Sequence, residues 1–166
     1  MGHSREQLLD FLAPCSLLCY SCPAFVRGIV CELSGKLVNY FEGFYDFLAE
    51  HLPEKLNSKA EEVKSFEERL RDYTRPRCSG CRNNRNPECS LKGCFIPECT
   101  REHGVDYCGE CEAFPCRKVD AIFPNPTVYQ RWLRGNTRIR QVGAAQFFEE
   151  EKGKSHYIDF AKDNSP

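Results

Sequence analysis

The chain of 166 residues is short of ordinary core material. It has one methionine, one tryptophan and no apolar run near the ~20 residues that a membrane span needs. Hydrophobic residues are 41 %, but twelve are cysteines. Without them roughly a third of the chain is left, which is thin for a globular domain. Excess charge of either sign is also lacking. Lys and Arg number 23 against 24 Asp and Glu, a formal net charge of −1. That excludes a globally basic nucleic-acid coat and an acidic tail. The opening MGHSREQLLDFLAPC has only a short apolar patch, broken by Asp10, and no small-residue cleavage site. It does not read as a signal peptide, and the expectation is a soluble, cytoplasmic protein without a membrane partner.

What the chain has instead is cysteine. Cys19/Cys22, Cys78/Cys81 and Cys108/Cys111 are three C-x-x-C pairs. Two cysteines two residues apart on a tight turn converge on one point, the geometry that a tetrahedral metal wants. Further cysteines flank each pair: Cys15 and Cys31; Cys89, Cys94 and Cys99; Cys116. A disulfide framework needs an oxidising compartment, and nothing here directs export. A dithiol redox pair needs a βαβ context that the sequence does not offer. All twelve cysteines are therefore candidate metal ligands. Composition agrees. Between Cys78 and Arg101 the only large apolar residues are Leu91, Phe95 and Ile96, against five cysteines. So few side chains cannot offset the ordering entropy of that stretch. Metal binding can supply the missing folding energy.

The fold expected is mainly α, one small helical domain with irregular cysteine-rich, metal-binding knuckles over residues 1–166. Residues 14–35 read as a cysteine opening and a short helix, with Pro23 at its start and Gly35 at its stop. Residues 36–73 read as a helical pair. The first runs over 36–52, with Leu37, Phe41, Phe44 and Leu48 at helical spacing. Tyr40, Tyr45 and Phe47 widen its apolar face, so it is expected to be buried on more than one side. Ser58 and Glu61 suggest a capping box opening the second helix, striped by Val63, Phe66 and Leu70. Residues 74–124 carry glycines and prolines that suit knuckles and loops. Residues 125–153 read as two helices broken at Gly135-Asn136. Residues 154–166 form a tail, in which Tyr157, Ile158 and Phe160 could dock.

The opening PCSLLCYSCPAF resembles Cys-Gly-Leu-x-Cys-x-x-Cys-Pro-Ala-Tyr. The run CSGCRNNRNPECSLKGCFIPECTREHGVDYCGECEAFPCRKV resembles a Cys-x-Gly-Cys knuckle, a Cys-Ala-x-Glu-Lys-Gly-Val core, and Cys-x-x-Cys-x-x-Phe-Pro-Cys. Both are similar to an uncharacterised cysteine-rich family of anaerobic bacteria and archaea, domain of unknown function 3795. The segment NTRIRQVGAAQFFEEEKG resembles the family's closing helix. By position every cysteine but Cys31 has a counterpart. Ser16 stands for the usual Gly, and His103 stands where Lys is common. The resemblance implies a metal-binding domain, presumed to hold zinc, and implies no particular activity.

Structural zinc takes four thiolate or imidazole ligands, and twelve cysteines could build two or three such sites. Zinc is the leading expectation. A [4Fe-4S] cluster at Cys15, Cys19 and Cys22 is the alternative, in an electron carrier or an enzyme's assistant. Its motive is the C-x3-C-x2-C spacing with Tyr20 after the second cysteine and Pro23 after the third. Sequence spacing leaves the division of ligands among sites open. Arg75, Arg77, Arg82, Arg85, Lys92, Arg101, Arg117 and Lys118 surround the cysteines. They read either as a nucleic-acid grip or, preferably, as charge balance for thiolates. Arg131, Arg134, Arg138 and Arg140 read as a solvated face balanced by Glu149, Glu150 and Glu151. His51, His103 and His156 are possible ligands that the cysteine count does not require, and His3 falls in an end expected to be loose. There is no Ser–His–Asp set, phosphate loop or paired-carboxylate frame, so an adaptor module with a protein partner is favoured over an enzyme.

Overall fold

Ser4 and Gln7 open the structure with a capping box. The Ser4 hydroxyl accepts from the Gln7 backbone N–H at 3.2 Å, and the Gln7 carboxamide accepts from the Ser4 N–H at 2.9 Å. They start helix α1, Arg5–Phe11. The expected loose end is thus a docked helix, with His3 edge-on to the Phe148 ring at 4.7 Å. The computed structural model describes residues 2–54, 57–83 and 93–161. Cys89, Arg85 and Lys92 lie outside the described residues.

The mainly helical architecture agrees with expectation. The helices after α1 are α2 (Ile29–Phe41), α3 (Phe44–His51), α4 (Asn57–Tyr73), α5 (Ile96–Glu102) and α6 (Pro126–Glu151). Among the described residues strand pairing is limited to two isolated bridges, Leu12 with Leu18 and Phe25 with Cys78.

Several boundaries differ from the sequence reading. The first expected helix is displaced: Gly28 is the N-cap of α2, and Gly35 sits inside that helix. The helix expected over 36–52 breaks at Gly43, whose φ of +78° ends one helix and starts the next. Its apolar face is not buried on more than one side. Tyr40 is 87 % exposed and Phe47 56 %. Ser58 lies inside α4 rather than capping it. Helix α5 rises within the cysteine-rich segment, with Pro97 in its first turn. The last helix does not break at Gly135-Asn136. Both residues are buried in it, and the kink falls at Gly143, whose φ is +81°.

Helix α6 is the spine, opened by Asn125, whose side chain accepts from the Thr127 N–H. Its two ends serve two apolar clusters. Ile139, Phe147 and Phe148 pack with Leu8, Leu12, Leu18 and Tyr107. Trp132 packs with Ala13, Cys15, Ile96, Phe114, Val119 and Phe123. Each large side chain so buried contributes about 1.5–3 kcal/mol. The second cluster has cysteines in its wall, including Cys19, Cys81, Cys94, Cys108 and Cys116. The sulfurs thus stand where a larger domain would place more leucine and valine. Among the described residues no helix is long and apolar enough to cross a membrane.

Candidate metal centre

The cysteines are presented by tight turns that lean on one another. In the opening loop, Ala13 N–H donates to the Leu17 carbonyl and Ser16 N–H to the Ala13 carbonyl, both at 2.9 Å. Ser16 takes the left-handed φ of +66°, where the resembling family has Gly. The Cys19–Ser21 turn closes with Cys22 N–H on the Cys19 carbonyl at 2.9 Å. The bridge to the second C-x-x-C pair comes next: Val26 N–H donates to the Cys78 carbonyl and Cys78 N–H to the Ala24 carbonyl. The two pairs are thereby laid side by side. Gly80, with φ of +91°, lets the second pair turn.

The third pair has the same local geometry. Cys111 N–H donates to the Cys108 carbonyl at 3.1 Å, and Cys108 N–H reaches back to the Pro14 carbonyl at 2.9 Å. Helix α5 brings Cys99 toward this knuckle, and Cys116 follows the Phe114-Pro115 turn. Cys99, Cys108, Cys111 and Cys116 line one small cavity of about 30 Å3, with His103, Phe114 and Trp132 also in its wall.

The electrostatics divide the sulfurs in the same way. Burial pushes the Cys19 thiol well up, and Cys81, Cys22 and Cys78 add to the rise. Burial pushes Cys108 up to about 11, with Cys116, Cys99 and Cys111 adding to it. Cys15 is fully buried and raised by burial first, then by Cys81, with Cys108 and Cys94 contributing less. A thiolate at any of these positions is costly unless a cation enters with it. The eleven described cysteines are free of disulfides. Among the described residues no three His, Cys, Asp or Glu side chains converge into a finished metal-binding group. Cys31 stands apart, its sulfur 3.7 Å from the Thr74 carbonyl.

Trp132 borders the donor set. The indole N–H is buried without a hydrogen-bond partner. It faces Cys108, where it would stabilise a thiolate. A buried N–H without an acceptor costs about 1–3 kcal/mol. Ionisation of Cys108 would remove that cost, so the residues here fit a metal bound through sulfur.

Arg82 of the basic belt and Arg140 of the second arginine cluster both serve the backbone, so Arg140 is not part of a solvated face. Arg82 donates to the carbonyls of Leu9, Leu12 and Asp106, and its guanidinium covers the Tyr107 ring. Arg140 donates to the carbonyls of Gly109, Cys111 and Phe114, around the third knuckle, and covers Phe114. Of the acidic trio, Glu150 balances Arg138 with two hydrogen bonds at 2.6 and 2.8 Å. Arg131 and Arg134 turn to Asp159 instead. His103 stays exposed, with Nδ1 2.8 Å from the Cys99 carbonyl. His51 contacts the Phe47 carbonyl. His156 donates from Nδ1 to the Leu18 carbonyl at 2.6 Å.

The sequence reading has no place for Trp132 or α5, and gives Asn136 and Arg140 other roles, a helix break and a solvated face. Trp132, Asn136 and Ile139 are at helical spacing, and reading through the glycine would have found the first two. No sequence signal marked Arg140 as a carbonyl clamp.

The family described as a protein of unknown function, DUF3795, matches residues 11–121. The chain belongs to the DUF3795 family. The match takes in every cysteine and stops before α6. No curated protein and no solved structure matches the chain.

Proposed function

We propose that this DUF3795 protein is a metal–thiolate protein whose sites are structural, holding two or three zinc ions, and that it works as a binding or adaptor module. The observation carrying this reading is the cavity ringed by Cys99, Cys108, Cys111 and Cys116, with the unpartnered Trp132 N–H at its wall. A second set, Cys19, Cys22, Cys78 and Cys81, is supported by the bridge between its two C-x-x-C pairs and by their mutual electrostatic influence. Cys15 is influenced by Cys81 of one set and Cys108 of the other, and Cys31 is left out. Bound zinc would supply positive charge and a covalent-strength cross-link; this chain supplies the turns, the dry surroundings and the N–H donors that hold the sulfurs.

The adaptor half rests on α2, α3 and α4. Leu33, Leu37, Tyr40, Phe44, Phe47 and Phe66 are all more than 40 % exposed there. Exposed apolar side chains in that number are a feature of interaction surfaces.

Anaerobic purification followed by elemental analysis and a visible spectrum tests the reading. Two or three zinc per chain, no visible band, and loss of cooperative melting on full chelation are expected. Iron with labile sulfide and a brown colour would replace it with the cluster alternative at Cys15, Cys19 and Cys22. Cooperative melting retained after full metal removal would overturn the structural role.

A further inference from the structure

Between α6 and the C-terminal segment lies a second cavity, of about 520 Å3, within the ~300–1,000 Å3 range of small-molecule sites. No cysteine lines it. Arg131, Arg134 and Arg138, at spacings of three and four on α6, put three guanidiniums along one wall, while Leu18, Phe147 and Ile158 make the apolar part.

The charges do not cancel. Arg138 is taken by Glu150, and Lys154 by Glu151 at 2.5 Å. Arg131 and Arg134 share the single carboxylate of Asp159. Arg134 Nη2 is 2.6 Å from Asp159 Oδ1, but Arg131 Nε is 3.4 Å from Oδ2, beyond a good hydrogen bond. The Arg131 side chain is only 14 % exposed. Burying a guanidinium against one long ion pair is expensive, and burial lowers its pKa despite Asp159. The wall that carries it is closely packed on the opening loop. A Cβ on Gly135 would stand 2.4 Å from the Ser16 hydroxyl, so helix and opening loop are in close contact.

We propose that this cavity binds a small organic anion. Its carboxylate or phosphate head is held by Arg131 and Arg134, and its apolar body lies on Leu18, Phe147 and Ile158. Asp159 stands in for the head. It sits in the short turn Ile158–Phe160, whose Ile158 and Phe160 side chains are half-exposed. That turn is only half covered by apolar contact, and its ion pairs act beside the His156 hydrogen bond to Leu18. A free carboxylate or phosphate head can make the bidentate contacts that Asp159 makes only in part.

A purely structural ion-pair network makes the opposite prediction at Asp159, which gives the test. The full chain is titrated calorimetrically with phenyl phosphate, benzoate and inorganic phosphate. Saturable binding of phenyl phosphate or benzoate is expected, about tenfold or more tighter than inorganic phosphate, because the ring adds apolar contact. The better of the two probes identifies the head group. Asp159→Asn should tighten binding severalfold by removing the competing carboxylate. Arg131→Gln should weaken it by about tenfold or more. Should Arg131→Gln fail to fold, Arg131→Lys keeps the charge, loses the fork, and is expected to weaken binding as well. Absence of saturable binding at millimolar probe would overturn the proposal. So would binding that neither the Asp159 nor the Arg131 variants change, or binding of inorganic phosphate as tight as that of phenyl phosphate.

Discussion

Asn136 and Gly109 are joined by one buried hydrogen bond. The Asn136 carboxamide oxygen accepts from the Gly109 N–H at 2.9 Å, inside the third C-x-x-C turn. Its Nδ2 donates to the Ser16 hydroxyl at 3.0 Å and to the Trp132 carbonyl at 2.9 Å. Asn136 is fully buried, so one side chain ties the first cysteine loop, the third knuckle and α6. Asn136→Leu keeps the volume and strands the Gly109 N–H. The expected loss is on the order of 3 kcal/mol, or about 10 °C in Tm for a chain of this size. Thermal melting monitored at 222 nm measures it. A shift under about 2 °C would mean that the tie has no structural weight.

Glycine replacements should separate position from propensity. Gly35 lies in α2 with nothing within 4 Å of an added Cβ. Gly35→Ala is expected to stabilise by up to about 1 kcal/mol, the ordinary helix preference. Gly135 is also helical, but its Cβ would press on Ser16, so alanine there should destabilise despite the same preference. Gly109→Ala should be the worst of the three. The added carbon would stand 2.3 Å from the Asn136 carbonyl oxygen, which is backbone and cannot step aside. Urea midpoints of the three variants check the order.

These residues also mark what the sequence could convey. The C-x-x-C turns were legible because their geometry is local. Two residues between cysteines on a tight turn let both side chains face one point. The helical content was legible from apolar spacing, as in α4, with buried Leu70 on the expected stripe. Asn136 was not. Gly-Asn in mid-pattern is a break signal on local grounds, and only a partner 27 residues away in the chain turns it into a buried anchor. The proposed division of sulfurs into sets has the same long-range character, since it rests on the Phe25–Cys78 bridge and on where α5 carries Cys99. Helix α1 was legible in principle. Ser4 and Gln7 form a true capping box, whereas Ser58 only has the matching residue types.

His156 gives the C-terminal segment an acid sensitivity. Burial lowers its pKa below the ordinary 6.5, against the hydrogen bond to Leu18, with Arg131 a smaller contribution in the same direction as burial. The unfolded segment therefore takes up a proton more readily than the docked one. Stability is complete above about pH 6.5 and falls as the pH drops below that value. Hydrogen exchange across residues 155–161, corrected for intrinsic rates, should lose protection between pH 7.5 and 5.5. His156→Gln should abolish that dependence. Equal pH dependence in both proteins would assign it elsewhere.

Trp132 is the sole tryptophan, and it stands at the wall of the Cys99, Cys108, Cys111 and Cys116 cavity. On the proposed reading its fluorescence reports that site first, through the Cys108 contact. Cys108→Ser and Cys111→Ser should each remove one metal ion per chain and change the emission. Cys31→Ser, with its sulfur on the Thr74 carbonyl, should leave both the metal count and the emission unchanged. Trp132→Phe keeps all four sulfurs but loses the N–H that would meet the Cys108 thiolate. It should retain the full metal count while weakening affinity about 10- to 100-fold, the usual effect of removing a donor to a metal ligand. Competition with a chromophoric chelator measures the change. Unaltered affinity in Trp132→Phe would mean that the indole meets no thiolate. Loss of a metal ion in Cys31→Ser would redraw the division of sulfurs.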